Sequence, residues 1–410
     1  MKFLIKKNNP TFWVISDTHL IADELHDSGV RFRQMQATSA GKDLFYQEYA
    51  LHAFAKKVVE KHPDALIVTG DITFNGAKKS AERFSEIFAP LKEAGIQLLV
   101  TPGNHDIYDG WARYFEGNRE CRVSQISPED WKNIFKDCYS VAENIDESSL
   151  SYSVNLTPKW RLLFLDSNIY GDSESYTHPV TGGEIYPSER NWLKNQLEEA
   201  QKLDQEVLFF MHHNLYKHNS VIHGGFQLRN ANEIVDLLSK YNVRAAFSGH
   251  IHAQHIMSGW VPIAEIVTSC FSETDEGYGV VSLGDHDLDY QRFSFDIENY
   301  LTEDDLKISE LSNFHDYLRD VFDKSNLQMF RQGIMGNISD SIMAEEIIRL
   351  LTKMHWDFFT GNSYKEKSEI ERLKASRLYQ AFVKAVPNMA NYINSLYEST
   401  QSSNVLHLNW

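Results

Sequence analysis

Short apolar runs alternate with amphipathic stretches between residues 11 and 297. Six runs have the length of a buried strand, at residues 12–16, 65–69, 97–101, 161–165, 206–211 and 243–248. The stretches between them carry apolar residues at helical spacing, at residues 47–61, 78–92, 188–202 and 231–241. Alternation of this kind predicts an α/β layered domain.

The pattern changes after residue 260. Successive strands are predicted at residues 263–268, 278–283 and 288–295, which we expect to form an antiparallel closing sheet. From residue 302 onward only helical spacing remains, at residues 314–322, 342–358 and 369–397.

A chain of 410 residues exceeds what one core usually organises. We therefore predict a catalytic domain over 1–300 and a helical C-terminal domain over 301–410. The second domain could serve as a lid, dock on the first domain or form a homodimer. We favour docking, because burying its apolar stripe stabilises the contact.

Composition narrows the possible partners. Apolar residues make up 42% of the chain, which is typical of a globular protein. The net charge of −17 and the lack of a basic stripe argue against extended nucleic acid as a partner. A small phosphate ester held by metal ions remains open, because bound cations dominate the local potential.

Cysteine usage and the start of the chain favour a cytoplasmic protein. The three cysteines include no CxxC pair, so we expect reduced thiols and no disulfide framework. The first residues lack an apolar segment of sufficient length, and we expect neither a signal peptide nor a membrane span.

Polar residues follow five of the predicted strands. The edge where parallel strands end is where open α/β sheets bind ligands. Residues two apart on an extended segment project from one face, and glycine allows the backbone to approach an ion or phosphate. Each element alone is common, but five in order are not coincidence. They are Asp17-x-His19, Gly70-Asp71, Gly103-Asn104-His105-Asp106, His212-His213 and Gly249-His250-x-His252.

These motifs, in this order, resemble the signature of the calcineurin-like metallophosphoesterases. With its helical C-terminal region the whole chain is similar to the bacterial class III cyclic-nucleotide phosphodiesterases. The resemblance implies a four-layer αββα sandwich with a C-terminal all-helical domain. It also implies two metal ions that share Asp71, one held by Asp17, His19, Asp71 and His252, and the other by Asp71, Asn104, His212 and His250.

The ligand types suit Mn, Fe, Zn or Co, and sulfur takes no part. In a cytosolic setting we expect Mn and/or Fe, with Zn as the alternative. From the pair His212-His213 alone either residue could face the metals, and the family pattern favours His212.

The resemblance also implies a mechanism. A metal-bound hydroxide attacks phosphorus, and His105 protonates or hydrogen-bonds the leaving oxygen. Adjacent Asp106 is expected to orient the His105 imidazole and raise its pKa. We expect Asn104, His105, His19 and His252 to contact the substrate.

Other polar residues near these motifs are expected to have structural roles. Asp166 follows a strand, and we expect it to form structural hydrogen bonds. We expect surface positions for His218, His223 and His255.

The expected activity is hydrolysis of small phosphate diesters, with 3′,5′-cyclic nucleotides such as cAMP converted to the nucleoside monophosphate. A glycerophosphodiesterase or a broad-specificity phosphodiesterase is the alternative. A non-catalytic scaffold is disfavoured because every motif residue is present. A protein phosphatase is disfavoured because Asp-Arg-Gly does not follow Gly70-Asp71.

Overall fold

The computed structural model describes residues 2–170 and 179–410, and its central strands follow the predicted apolar runs closely. The runs at 65–69, 97–101 and 243–248 form strands with the predicted bounds, and the other three shift by one residue at one or both ends. The strands are β1 (Thr11–Ile15), β2 (Ala65–Thr69), β3 (Gln97–Thr101), β4 (Arg113–Glu116), β5 (Arg119–Arg122), β6 (Asn144–Ile145), β7 (Tyr152–Asn155), β8 (Trp160–Phe164), β9 (Glu206–Phe210), β10 (Val243–Ser248), β11 (His255–Met257), β12 (Ala264–Val267), β13 (Tyr278–Leu283), β14 (Asp287–Phe293) and β15 (Val405–Asn409).

Helices cover the sheets and form most of the C-terminal region. They are α1 (Val30–Ala37), α2 (Gln47–Lys61), α3 (Lys78–Ile87), α4 (Ala89–Glu93), α5 (Pro128–Ile134), α6 (Lys136–Ser140), α7 (Pro187–Lys202), α8 (Ala231–Leu238), α9 (Phe314–Ile334), α10 (Ser341–Phe359), α11 (Lys367–Ala375), α12 (Arg377–Ala385) and α13 (Pro387–Ser395). Short 3-10 turns occur at Asp23–Leu25, Ile297–Tyr300, Asp305–Lys307 and Leu311–Asn313. Among the described residues no helix is both long and apolar enough to cross a membrane.

Two mixed sheets form the centre of the fold. The first has the order β15-β14-β13-β1-β2-β3, and the second has the order β11-β12-β10-β9-β8-β7-β6. Strands β1, β2 and β3 are parallel, as are β8, β9, β10 and β12. Within each sheet the carboxyl ends of the parallel strands therefore lie at one edge, where the sequence motifs follow them.

Successive side chains of a central strand point into two different apolar cores. This alternation produces the layers of the fold. In β9, Leu208 and Phe210 belong to the core between the sheets, whereas Val207 and Phe209 belong to the core beneath α7 and α8. Phe210 lies with its ring centroid 5.9 Å from that of Phe12 in the opposite sheet. Helices α2 and α3 cover the other face of the first sheet. This period of two gives the helix–sheet–sheet–helix order that was predicted.

The structure differs from three of the predicted elements. The predicted helix 78–92 divides into α3 and α4, because Pro90 in the first turn of α4 has no N–H to continue α3. The stretch 369–397 divides into three helices, with Ser376 capping α12 and Pro387 beginning α13. The run 263–268 contains β12, which pairs in parallel with β10 in the second sheet, so its predicted place in an antiparallel closing sheet is wrong.

The C-terminal helices pack against the sheet domain. Phe330 and Ile347 share one apolar cluster with Ile251 and Val267, which lie beside the predicted metal ligands. The chain then returns to the first sheet, where β15 pairs with β14. The sequence did not predict this strand, because its alternating side chains are largely exposed and form no continuous apolar run.

Candidate active site

Loops from both sheets meet at one edge, and each follows a parallel strand. They come after β1, β2 and β3 in the first sheet and after β9 and β10 in the second. The structure thus brings together side chains that are far apart in sequence. They are Asp17, His19, Asp71, Asn104, His105, His212, His250 and His252.

The first group of ligand atoms belongs to Asp17, His19, Asp71 and His252. One ligand atom from each lies within 4.8 Å of all the others. The Nε2 atom of His252 is 3.3 Å from Asp17 Oδ1 and 3.2 Å from His19 Nε2. Asp17 Oδ1 is buried and has no hydrogen-bond partner among the described residues. A buried carboxylate oxygen left free beside two imidazoles fits a transition-metal cation.

A second group shares Asp71 with the first. Ligand atoms of Asp71, His212 and His250 lie within 4.8 Å of one another. His212 Nε2 is 3.3 Å from Asp71 Oδ2 and 3.2 Å from Asn104 Oδ1. Burial acts to lower the pKa of His212, but the Asp71 carboxylate outweighs it and raises this pKa to about 9. The Asp71 carboxylate is therefore a negative charge common to both groups, as a ligand shared by two metal ions would be.

Hydrogen bonds to main-chain carbonyls fix which imidazole nitrogen faces the second group. His212 Nδ1 donates to the carbonyl of Thr69 at 2.9 Å, which leaves Nε2 as the nitrogen that faces Asp71. His250 Nε2 donates to the carbonyls of Thr181 and Gly225, at 2.9 and 3.1 Å, which leaves Nδ1 as its ligand atom. Bonds of this kind are typical partners of metal-binding histidines.

His252 is oriented by a residue that the motifs did not reveal. Its Nδ1 lies 2.9 Å from Oε2 of Glu273, which is buried. Glu273 follows β12 rather than a motif strand, and no spacing rule connects it with His252. In the sequence Glu273 is one of three acidic residues in the segment 268–277, and nothing there indicates which of them meets His252.

We expect Glu273→Gln to weaken metal binding at the first group. The substitution keeps the shape of the side chain but removes the charge that fixes the His252 tautomer. Loss of such a partner typically lowers metal affinity by about 10- to 100-fold. Titration of metal-stripped protein with Mn²⁺ by calorimetry would measure this change. An affinity equal to that of the parent would contradict the role assigned to Glu273.

The backbone is strained at five of the predicted ligands. Asp17, His19, Asp71, His250 and His252 all have φ between 44° and 71°, in the left-handed region. Each such non-glycine residue costs about 1–3 kcal/mol and persists only where its surroundings fix it. Five of the eleven described non-glycine residues with positive φ are thus candidate ligands, and strain clustered in this way is typical of functional sites.

Two of the motif glycines make room for the ligand carboxylates. A Cβ at Gly103 would lie 2.2 Å from Asp71 Oδ1, and one at Gly249 would lie 2.4 Å from Asp17 Oδ2. Either contact would displace a carboxylate from its group. The glycines were expected to admit an ion or phosphate, whereas here they admit the acidic ligands.

His105 lies beside the two groups and faces the cleft. Its ring centroid is 5.4 Å from that of His19, and its Nδ1 donates to Asp109 Oδ2 at 3.2 Å. Burial acts to lower the pKa of His105, but the carboxylates of Asp71 and Asp109 outweigh it and raise the pKa. An imidazole in this position beside the candidate metal ligands can act as a proton donor to a leaving oxygen.

The predicted contact between Asp106 and His105 is wrong. Asp106 is fully buried and accepts hydrogen bonds from the main-chain N–H groups of Thr73 and Gly103, at 2.9 and 2.8 Å. It fixes the loops that carry the ligands. Successive side chains of this turn point in different directions, so the carboxylate four residues after His105, not the adjacent one, contacts the ring.

The structure distinguishes the two adjacent histidines. His213 Nδ1 lies 2.8 Å from Ser167 Oγ, and its Nε2 donates to the carbonyl of Thr181 at 3.0 Å. Both ring nitrogens are thus used away from the ligand groups. Burial and nearby His212 lower the pKa of His213 to about 3, so the ring is neutral.

Four other residues were predicted to have structural or surface positions, and the structure shows the surroundings of each. Asp166 accepts a hydrogen bond from the Tyr170 hydroxyl at 2.7 Å, in keeping with the structural role expected for it. The surface position expected for His218 is wrong: the ring is buried, 2.8 Å from Glu265 and 2.9 Å from His255. His223 and His255 are half-buried.

Cys270 lies beside the first group, although the motifs contain no sulfur ligand. Its Sγ is within 4.8 Å of ligand atoms of His19 and His252. The thiol donates to the carbonyl of Asp17 at 3.1 Å, and burial, together with Glu273, raises its pKa well above the usual range. The thiol proton is therefore used in a hydrogen bond to the main chain beside the first group.

Comparisons with known proteins agree with this geometry. The family model of calcineurin-like phosphoesterases matches residues 10–254. A second family model, the C-terminal domain of cyclic nucleotide phosphodiesterase, matches residues 296–403. Among solved structures, a dimetal phosphatase from Danio rerio covers 70% of this chain and 96% of its own, with a TM-score of 0.52 and 13% identity. This likeness supports the fold.

Two curated relatives are similar over about half of the chain. One is 3′,5′-cyclic adenosine monophosphate phosphodiesterase CpdA of Haemophilus influenzae, which is 25% identical over 198 residues, or 48% of this chain and 57% of the relative. The other is "Probable glycerophosphodiester phosphodiesterase GpdQ" of Arcobacter nitrofigilis, which is 31% identical over 193 residues, or 46% of this chain and 57% of the relative. The chain thus spans little more than half the length of either relative.

Proposed function

Because this chain belongs to the calcineurin-like phosphoesterase family, we propose that it is a binuclear-metal phosphodiesterase that hydrolyses 3′,5′-cyclic nucleotides, with cAMP as the leading substrate. The observation that carries the proposal is the pair of ligand groups that share Asp71. The match of residues 296–403 to the C-terminal domain of cyclic nucleotide phosphodiesterase supports the choice of substrate.

The proposed metals are Mn and/or Fe, with Zn as the alternative, since carboxylate, imidazole and amide ligands suit all three. Lewis-acid binding of the phosphoryl group and activation of an attacking water are the chemistry that such a metal pair supplies. One ion would be held by Asp17, His19, Asp71 and His252, and the other by Asp71, Asn104, His212 and His250.

The side chains of the protein then direct the reaction. Asn104, His19 and His252 border the position of the phosphoryl group, and His105 donates a proton to the departing ribose oxygen. Asp109 holds the His105 ring through Nδ1, which leaves Nε2 free for this transfer. The product from cAMP is the nucleoside monophosphate.

Glycerophosphodiester hydrolysis is the second candidate, and the relative from Arcobacter nitrofigilis favours it. We expect metal-stripped protein reloaded with Mn²⁺ to hydrolyse cAMP and bis(p-nitrophenyl) phosphate faster than glycerophosphocholine. Steady-state rates for the three esters would measure this preference. Hydrolysis of glycerophosphocholine alone among the natural esters would transfer the assignment to the second candidate. A protein inactive on all three would return the assignment to a non-catalytic scaffold.

The proposed enzyme has two domains and acts on a small substrate. Residues 1–300 would form the catalytic domain and 301–410 a docked C-terminal domain, in a cytoplasmic protein whose three cysteines are free thiols. A homodimer through the C-terminal region would be detected by sedimentation velocity. No extended nucleic acid is expected to bind, given the net charge of −17.

A further inference from the structure

A buried carboxylate in β12, that of Glu265, accepts four hydrogen bonds beside the second ligand group. Its Oε1 accepts from the hydroxyl of Ser248 at 2.7 Å and from the main-chain N–H of Leu215 at 2.8 Å. Its Oε2 accepts from the N–H of Tyr216 at 3.0 Å and from Nε2 of His218 at 2.8 Å. Four donors match the acceptor capacity of an ionised carboxylate, so this fully buried side chain has all of its partners.

These hydrogen bonds join the two loops that carry His212 and His250. Ser248 ends β10, two residues before His250. Asn214, two residues after His212, donates from Nδ2 to Ser248 Oγ at 3.1 Å and to the carbonyl of Gly249 at 2.9 Å. The loop after β9 and the loop after β10 are therefore held to each other and to the carboxylate in β12.

The same carboxylate is connected to the C-terminal region through two histidines. His218 Nδ1 lies 2.9 Å from Nδ1 of His255, and His255 Nε2 lies 2.9 Å from Oγ of Ser399, which follows α13. Burial and nearby His218 lower the pKa of His255 to about 3, so its ring is neutral. The side chains of Ser399, His255 and His218 therefore form a continuous hydrogen-bonded chain that ends at Glu265.

Two further hydrogen bonds hold the C-terminal segment 395–401 against the sheet domain. Ser395 Oγ donates to Asn219 Oδ1 at 3.1 Å, and Gln401 Nε2 donates to Ser258 Oγ at 2.8 Å. These contacts lie at the two ends of the segment. The hydroxyl that meets the two histidines is thus fixed from both sides.

We propose that Glu265 is a positioning residue for the second ligand group, and that docking of the segment 395–401 completes its hydrogen bonds. This inference rests on the proposed function, because it requires His212 and His250 to bind a metal ion. The sequence motifs assign no role to Glu265. Ligands bind a metal tightly only where their surroundings hold them in the coordination geometry, so the docked segment contributes to metal occupancy.

The test compares Glu265→Gln with the parent protein, both full length and stripped of metal. Glutamine places an N–H₂ group where the carboxylate accepts, so two of the four donors lose their acceptor. Titration with Mn²⁺ by calorimetry measures the effect. We expect one Mn²⁺ equivalent to bind about 10- to 100-fold more weakly, the usual effect of losing an outer partner of a metal ligand, and the other to change by less than about 3-fold.

Glu273→Gln identifies which equivalent is affected. Glu273 orients His252 in the first group, so the two single variants should weaken different equivalents. The double variant should then weaken both.

A spectroscopic signature separates positioning from a general loss of stability. At two equivalents of Mn²⁺ the parent should give the exchange-coupled EPR signal of a metal pair that shares Asp71. At the same loading Glu265→Gln should give mainly the signal of isolated Mn²⁺.

Glu206→Gln is the matched control. Glu206 is also a buried glutamate of the second sheet, but it begins β9, whereas the site follows the end of that strand. Its partners are Arg244 and Trp410. The control should bind both Mn²⁺ equivalents with the affinity of the parent, even where its thermal stability falls.

Two milder variants test the two arms of the network and serve if Glu265→Gln does not fold. Ser248→Ala removes the hydrogen bond from β10, and Ser399→Ala removes the one from the C-terminal segment. Each should raise the Kd of the same Mn²⁺ equivalent by about 3- to 10-fold, the effect of one hydrogen bond. Ser402→Ala is their control, because the hydroxyl of Ser402 accepts from the nearby N–H of Asn404 instead.

Equal affinities of Glu265→Gln and the parent for both Mn²⁺ equivalents would overturn the inference, and so would an equal loss at both. Parent-like binding by Ser399→Ala would overturn the part assigned to the C-terminal segment. The titration needs no turnover. A parent that binds two Mn²⁺ ions but hydrolyses no diester would therefore reject the proposed activity, while the change in Kd would still decide the role of Glu265.

Discussion

Asp71→Asn is expected to lower the occupancy of both metal positions and to reduce turnover about 1000-fold or more, at least the loss that follows removal of a single preorganised electrostatic group. Asp71 is common to both ligand groups. Its carboxylate interacts electrostatically with the imidazole of His212 in one group and with that of His19 in the other. Asparagine keeps the size of the side chain, and its Oδ1 can still accept the hydrogen bond from the N–H of His105. Only the shared negative charge is removed.

Metal content after reloading with Mn²⁺, together with the rate on bis(p-nitrophenyl) phosphate, would measure this effect. Asp166→Asn is the matched control, because Asp166 is also a buried aspartate that follows a parallel strand but lies outside both ligand groups. The control should retain both metals. If Asp71→Asn bound two equivalents of Mn²⁺ with the affinity of the parent, the shared-ligand assignment would be wrong.

His105→Ala is expected to keep both metals and to lose about 100- to 10,000-fold in turnover of cAMP, the range typical of a general acid. The loss should be much smaller on bis(p-nitrophenyl) phosphate, because p-nitrophenolate leaves without a proton. Asp109→Asn should cause a smaller loss with the same dependence on the leaving group, since Asp109 holds the His105 ring and raises its pKa.

The ratio of the two rates is the informative measurement for His105. A variant with lower metal content would lose activity equally on both substrates, whereas a missing proton donor affects mainly the ribose leaving group. Equal losses on both esters, with full metal content, would assign His105 to phosphate binding instead. Full activity on cAMP would eliminate any catalytic role for this residue.

Packing of the C-terminal helices also supports the backbone of the candidate site. Ile251 separates the two histidines of the Gly249-His250-x-His252 motif. It shares an apolar cluster with Phe330 and Ile347 of the C-terminal helices. A segment remote in sequence thus supports the backbone that carries two candidate metal ligands, His250 and His252. Changes in the C-terminal helices are therefore expected to affect the site even where they do not contact it.

The sequence by itself determined the central strands and the motif residues. Runs such as residues 65–69 and 243–248 are mostly apolar and almost fully buried, because parallel strands are covered on both faces. The candidate ligands follow these strands directly. One short stretch of sequence therefore indicates both the strand and the polar residues at its end. The five motifs also give the candidate ligands, since each motif lies within a few residues of a strand end.

The tertiary structure alone decided which distant groups meet. Asp109 rather than Asp106 contacts His105, and Glu273 orients His252, because these contacts depend on how a turn and a separate loop are directed in space. Glu265 and β15 gave no local signal of their partners either. One is a buried glutamate within an otherwise apolar strand, and the other is a largely exposed strand at a sheet edge. Periodicity reports the environment of a segment and does not report its partners, so long-range contacts become visible only when the chain is folded.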